Sequence, residues 1–206
     1  MIEVPVYNAK GERIETLQVD ESSFGTVVRR KLLKQAVVMY EANKRQGTVQ
    51  TKDRGMVAGS TRKLFAQKHT GNARMGNIRT VVRRGGGVAF GKVPKDWSLR
   101  MPSKAKHQAR NSALLSKLKD GAVAVVEPMG LGEPKTKVIS NLLKAIKFTD
   151  TCLIGTKEYD KTLWLSVRNM VDVAVMPVGE FNAYDVLKHR KILVTRDGFD
   201  RLLGKN

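Results

Sequence analysis

A Gly-rich, cationic segment in the first half of the chain limits what the chain can fold into. Residues 44–110 carry seventeen Lys and Arg residues and two acids, a net charge of +15, against +19 for all 206 residues. From Gln46 to Lys92 the apolar residues follow neither a helical stripe nor a long alternating strand. Such a segment cannot bury a core of its own, so an anionic partner must offset the entropy of fixing its backbone. Nucleic acid is the leading candidate for that partner.

The rest of the chain has the composition of an ordinary globular protein. A hydrophobic content of 41 % supports a core once the basic segment is set aside. The opening carries Glu3 and no export signal, and apolar runs such as 122–126 are the length of one buried strand. Cys152, the single cysteine, excludes an internal disulfide and disfavours a thiolate metal site. We therefore expect a cytoplasmic protein without a membrane segment, a metal or a cofactor.

The N-terminal residues predict a hairpin followed by a helix. Two extended pieces, Ile2–Tyr7 and Arg13–Val19, flank residues 8–11, whose composition favours a tight turn. Apolar residues then recur at helical spacing from about Ser23 to Arg45, where Ser22 or Ser23 is the expected cap.

The second half of the chain alternates helices with apolar runs. Ser103 is expected to cap a helix over Lys104–Lys119, with four residues facing inward: Ala109, Ser112, Leu115 and Leu118. The apolar runs are 122–126, 152–155, 172–176 and 191–194, and the helical stretches between and after them are 138–146, 163–167, 184–187 and 199–203. Strands that are apolar at successive positions, each followed by a helix, predict a mostly parallel sheet covered on both faces. The predicted fold is a single Rossmann-like α/β domain, residues 1–43 and 105–206, with residues 44–104 as a long basic inserted loop.

An enzymatic interpretation finds little support in the motifs. The run Gly130–Gly132 resembles the first half of a dinucleotide fingerprint, but Lys135 occupies the third glycine position. Gly86–Lys92 has the spacing of a phosphate-binding loop, yet Val93 stands where a Ser or Thr must bind magnesium. No Ser or Cys lies in an elbow motif, and we expect no catalytic residue. The alternative is an RNA-modifying enzyme that binds an adenosine cofactor at 129–134.

Three features of the basic segment favour RNA binding over a solvated charge run or a disordered tail. Its glycines let backbone N–H groups approach phosphates. Arginine dominates its centre, and the guanidinium group suits bidentate phosphate contacts and base stacking. Phe65, Phe90 and Trp97 are spaced to stack on bases or to anchor the segment, with anchoring expected for Trp97. The predicted RNA-binding residues are Lys44, Arg45, Lys52, Arg54, Arg62, Lys63, Lys68, Arg74, Arg79, Arg83, Arg84, Gly85, Gly86, Gly87, Lys92, Lys95, Arg100, Lys104, Lys106 and Arg110.

Five blocks of sequence closely resemble the bacterial-type family of large ribosomal subunit protein four, in the family's order and spacing. The blocks are ANKRQGTVQTKDRG (42–55), FAQKHTGNARMGNIR (65–79), RRGGGVAFG (83–91), PKDWS (94–98) and MPSKAKHQARNSALLSKL (101–118). The flanking hairpin, first helix and alternating tail also fit, so the resemblance covers essentially the whole chain.

The resemblance implies a structural ribonucleoprotein component that binds rRNA and supports ribosome assembly and translation. It implies a globular α/β domain and a long extension that reaches into the RNA, with rRNA, neighbouring ribosomal proteins and the nascent peptide as partners. The extension's tip would line the constriction of the peptide exit tunnel through Gln67, Lys68, His69, Thr70, Gly71 and Asn72. Relative to the family pattern, His69 replaces a glycine and Asn72 replaces an arginine. A free regulatory RNA-binding protein is a further interpretation compatible with the same surface.

Overall fold

The structure, a computed structural model, describes residues 1–128, 130 and 132–204. The chain divides into two compact units, which we call the α/β unit (Met1–Glu41 with Arg100–Asn206) and the cationic unit (Ala42–Leu99). The strands are β1 (Ile2–Tyr7), β2 (Arg13–Val19), β3 (Val123–Val126), β4 (Cys152–Thr156), β5 (Val173–Pro177) and β6 (Lys191–Thr195). The helices are α1 (Arg30–Asn43), α2 (Ser103–Lys119), α3 (Thr136–Ala145), α4 (Lys161–Val167), α5 (Ala183–Lys188) and α6 (Arg196–Leu202).

The predicted N-terminal hairpin is confirmed. Strands β1 and β2 pair antiparallel from Ile2 opposite Val19. The Asn8 side-chain oxygen accepts the backbone N–H groups of Lys10 and Glu12, each at 2.9 Å, and so closes the turn. Gly11 in this turn has φ +89°, a conformation that glycine adopts without steric cost.

The α/β unit is built on one six-stranded sheet in the order β2-β1-β3-β6-β4-β5. Every neighbouring pair except β1 and β2 is parallel. In β3, Val123 and Val125 join one hydrophobic cluster, and Ala124 and Val126 join the other. Because both faces of the sheet are covered, the strand is apolar at every position. The predicted mostly parallel, two-faced sheet is therefore confirmed.

The helices supply the cover on each face. Leu33 of α1, Leu115 of α2 and Phe199 of α6 belong to the first cluster. Ile139 of α3 and Leu163 of α4 belong to the second. Full burial of a large aliphatic or aromatic side chain stabilises a fold by about 1.5–3 kcal/mol, so each of these residues contributes to the stability of the unit.

Two helix starts differ from the prediction. Helix α1 begins at Arg30, not near Ser23: Gly25 has φ +98°, which no residue of an α-helix adopts, and residues 26–29 are also outside the helix. Residues Glu21–Ser23 instead form a single 3₁₀ turn capped by Asp20, so neither predicted serine cap forms. Helix α2 includes Ser103 in its first turn, and Pro102 takes the cap position without a side-chain hydrogen bond.

The interior of α2 was predicted correctly. Its four expected inward residues are buried, together with Ala113 and Leu114. The other predicted strands and helices are present with bounds shifted by up to three residues. No helix in the described part of the chain is both long enough and apolar enough to span a membrane.

Candidate nucleic-acid interface

The cationic unit has charge and exposure but almost no interior. It carries thirteen Lys and Arg residues and two acids. All its residues are described, and among them only Gly87 is buried. Beyond the end of α1 the unit has no helix, and its one isolated β-bridge joins Lys63 and Asn77. Its order within the structure comes from hydrogen bonds between chain segments, since apolar burial contributes little.

The two ends of the cationic unit run side by side. The N–H of Lys95 donates to Gly47 O at 2.9 Å, and the N–H of Thr51 donates to Lys92 O at 2.9 Å. The Lys92 N–H donates in return to Thr51 Oγ1 at 2.7 Å. Gly47 has φ +68°, and a Cβ there would overlap the Lys95 carbonyl oxygen. Glycine is therefore required at position 47 by both backbone conformation and space.

A second contact at this end involves Trp97. The Arg45 guanidinium carbon lies 3.9 Å from the Trp97 ring centroid, and Lys95 Nζ lies 4.5 Å from it. Asn43 and Leu99 exchange hydrogen bonds: Asn43 Nδ2 donates to Leu99 O at 3.3 Å, and the Leu99 N–H donates to Asn43 Oδ1 at 2.7 Å. Trp97 therefore contacts Arg45 and Lys95 within the cationic unit. The anchoring of Trp97 to the α/β unit stays a prediction.

Farther along, Lys63 holds the base of the tip. Its Nζ donates to Gln67 Oε1 at 2.9 Å and to Met75 O at 2.7 Å. Between these partners, the tip residues 67–72 are exposed apart from Thr70, which is half-buried. His69 has φ +65°, in the left-handed region that glycine favours. A histidine therefore occupies a backbone conformation suited to the glycine that the family resemblance places there.

The glycine triplet has a structural role inside the unit. The N–H of Gly86 donates to Arg83 O and that of Gly87 to Arg79 O, each at 3.0 Å. A Cβ at Gly87 would overlap the backbone of Arg54. These two N–H groups are used within the protein, and a backbone contact to phosphate stays a prediction for Gly85, which has φ +76°.

Both acids of the unit are bound in local turns. Asp53 Oδ1 accepts the Met56 N–H at 2.9 Å. Asp96 Oδ1 accepts the N–H and the hydroxyl of Ser98 at 2.8 and 2.6 Å, and these hydrogen bonds hold the pKa of the Asp96 carboxyl below its usual value. The excess positive charge of the unit is consequently available to an external anion.

Eleven of the thirteen cations of the cationic unit are exposed. The two half-buried ones are Arg79, whose Nε donates to Gly59 O at 2.5 Å, and Arg83. The remaining predicted RNA-binding residues belong to the α/β unit: Arg100, Lys104 and Lys106 are exposed and Arg110 is half-buried. Arg110 Nε is buried without a hydrogen-bond partner among the described residues.

Sequence analysis missed one contact of this surface. The stacking of Arg45 on Trp97 joins residues far apart in sequence, so no local pattern indicates it. Phe90 was assigned either stacking or anchoring. Phe90 is fully exposed with φ +48°, and its stacking on a base stays a prediction.

The structure describes the candidate nucleotide loop at 129–134 only in part. Met129 and Leu131 lie outside the described residues, and none of the described residues lies within 4 Å of a Cβ placed on Gly130 or Gly132. No cluster of His, Cys, Asp and Glu that could hold a metal occurs in the described ranges. Burial raises the pKa of the Cys152 thiol to about 12, which keeps it protonated and unreactive at neutral pH.

Exposed Lys and Arg residues concentrated in one unit of an α/β protein are the electrostatic footprint typical of nucleic-acid-binding proteins. The comparisons with known proteins narrow this class. Residues 17–205 match the model of the ribosomal protein L4/L1 family. The chain belongs to that family.

Full-length relatives agree with the family match. "Large ribosomal subunit protein uL4" of Desulfatibacillum aliphaticivorans is 42 % identical over 205 residues, covering 100 % of this chain and 99 % of that protein. The protein of the same name from Rhodopirellula baltica is 40 % identical over 203 residues, with 98 % and 91 % covered. That from Carboxydothermus hydrogenoformans is 39 % identical over 197 residues, with 96 % of each covered.

Proposed function

We propose that this chain is a structural, non-catalytic protein of the large ribosomal subunit in the cytoplasm, and that it binds rRNA through the cationic unit. The observation that carries the proposal is the exposure of eleven cations on a unit without a core. The names of the full-length relatives support the place in the large subunit.

Binding would follow from phosphate neutralisation. Each Lys or Arg that contacts a phosphate releases condensed counterions, which supplies a favourable and salt-dependent free energy. Arginine adds bidentate contacts and stacking on unpaired bases. The partner would in turn supply contacts that the cationic unit lacks, since only Gly87 of the unit is buried.

In this proposal the two parts of the chain have different tasks. Residues 1–43 and 105–206 form a Rossmann-like domain that binds no nucleotide cofactor, and residues 44–104 form the long basic extension. Arg100, Lys104, Lys106 and Arg110 add phosphate contacts at the end of the extension and on α2. Neighbouring ribosomal proteins are further partners, and the whole supports subunit assembly and translation.

The tip residues 67–72 would reach the peptide exit tunnel and meet the nascent peptide. The left-handed conformation of His69 supports this part of the proposal, because it keeps the backbone path that a glycine would take. The exposed imidazole would then act by bulk and by stacking on a base.

Incorporation into ribosomes tests the proposal. We expect the wild-type chain in salt-washed large subunits after sedimentation of a cell extract, and a reduced amount for Arg83→Ala combined with Arg84→Ala. A matched control, Lys137→Ala with Lys144→Ala, removes the same charge from the exposed side of α3. Absence of the wild-type chain from the washed subunits would overturn the proposal.

A further inference from the structure

A cavity of about 460 Å³ opens at the end of the cationic unit where its two chain segments run side by side. Its lining includes the apolar side chains of Val49, Val93 and Trp97. The volume falls within the range of about 300–1,000 Å³ typical of small-ligand sites. All the lining residues belong to the cationic unit.

Three cations line the cavity together with these apolar side chains: Arg45, Lys92 and Lys95. No acid is among the lining residues, and the nearby Asp96 carboxylate is already bound to Ser98. The cavity therefore combines a flat apolar surface with unopposed positive charge. A nucleotide has the complementary pair of features, a planar base and a phosphate.

We propose that this cavity binds a single unpaired nucleotide of RNA. The base stacks on the layer formed by the Trp97 ring and the Arg45 guanidinium, and the phosphate contacts Lys92 and Lys95. The proposal rests on the proposed rRNA binding and goes beyond it, because it names one site and the state of the nucleotide that fills it. A paired base cannot enter, since both of its faces are covered by neighbouring bases in the duplex.

The walls of the cavity are fixed by backbone hydrogen bonds. The Lys95 N–H donates to Gly47 O, and Thr51 and Lys92 are joined by two hydrogen bonds. A Cβ on Gly47 would overlap Lys95 O and lie 2.9 Å from Trp97 Cδ1. A site held in this way loses little conformational entropy when a ligand binds, which strengthens the binding of a nucleotide there.

The glycine geometry supplies a test that leaves every charge in place. Gly47→Ala forces the Lys95 carbonyl and the Trp97 ring to move. Gly71→Ala is the matched control, because Gly71 has nearly the same φ, +69° against +68°, but nothing within 4 Å of its Cβ position. Both variants place alanine in the same left-handed backbone conformation. A difference in RNA affinity between them therefore reports the change in the cavity.

The probe is a short RNA hairpin with one unpaired adenosine, compared with the same hairpin fully paired. Trp164→Phe leaves Trp97 as the sole tryptophan, so its fluorescence reports the cavity directly. We expect the hairpin with the unpaired adenosine to change that fluorescence. We also expect it to bind about tenfold more tightly than the paired hairpin, which is a typical effect of stacking one base. Gly47→Ala and Trp97→Ala should abolish this preference, and Gly71→Ala should keep it.

The outcomes separate this proposal from the proposed function. Equal affinity for the two hairpins, with unchanged Trp97 fluorescence, would overturn the nucleotide site and leave general rRNA binding intact. Failure of the wild-type protein to bind either hairpin or intact large-subunit rRNA would overturn the proposed function itself. Loss of the preference in Gly71→Ala as well as Gly47→Ala would also contradict the site, because the cavity would then not be its cause.

Discussion

The salt dependence of RNA binding should fall when exposed arginines of the cationic unit are neutralised. The perturbation is Arg62→Gln, Arg74→Gln and Arg84→Gln together. All three residues are exposed, and their side chains form none of the hydrogen bonds described above between chain segments of the unit. The variant should therefore keep its structure while it loses three phosphate contacts.

The magnitude follows from counterion release. With about eight of the eleven exposed cations on phosphates, the log-log slope of affinity against salt is about −6 for single-stranded RNA, and removing three contacts changes it to about −4. Between about 50 and 200 mM salt, the wild-type protein should lose affinity about 4,000-fold and the variant about 250-fold. Fluorescence anisotropy of a labelled large-subunit rRNA fragment measures both slopes.

A charge-matched control shows whether the change in slope depends on where the cations lie or only on the net charge of the protein. Lys137→Gln, Lys144→Gln and Lys161→Gln remove three exposed cations from α3 and α4, and the slope should change by less than about 0.5. An unchanged slope in the arginine variant would refute the assignment of the cationic unit. Equal changes in both variants would show that only net charge matters.

Three further predictions concern the core and the tip. Gly155→Ala should lower the free energy of unfolding by about 1–3 kcal/mol in urea titrations, because its Cβ would lie 2.7 Å from Phe181 Cζ. The control Gly132→Ala should leave the free energy of unfolding nearly unchanged, because none of the described residues lies within 4 Å of its Cβ position. Burial raises the pKa of Cys152 from 9.0 to about 12, so as pH rises above 9 the unfolded thiol ionises first and stability falls. Between pH 8 and pH 10 the wild-type protein should lose about 1.4 kcal/mol more than Cys152→Ala, and an equal loss would show that the thiol does not contribute. His69→Gly should leave incorporation into subunits intact but alter the sensitivity of growth to drugs that occupy the tunnel. If His69→Gly blocked incorporation, the tip would be required for subunit assembly and this prediction would be wrong.

The parts of the fold that follow from local periodicity could be predicted from the sequence. Strand β3 is apolar at four successive positions because both of its faces are covered, and the inward face of α2 follows from spacing alone. The start of α1 could not be found in this way, because Gly25 has φ +98° and Val28, which fits the helical spacing, lies before the first helical residue, Arg30. The glycine was visible in the sequence, but its φ depends on the surrounding structure.

The site shows the same division. The concentration of Lys and Arg was evident from composition, since charge counting needs no geometry. The pairing of Arg45 with Trp97 and the hydrogen bond from Lys95 to Gly47 join segments distant in the chain. Such contacts leave no periodic signal, so the cavity could be found only in three dimensions.

The reciprocal hydrogen bonds between Asn43 and Leu99 join residues 56 positions apart in the chain and so close a long loop. The entropy of closing a flexible loop grows only with the logarithm of its length, so doubling the loop would cost about 0.6 kcal/mol more. That cost is smaller than the net contribution of about 1 kcal/mol from a single hydrogen bond. Insertions or deletions at the exposed tip, residues 67–72, would therefore cost less free energy than one hydrogen bond contributes, so the stability of the chain constrains the length of this loop only weakly.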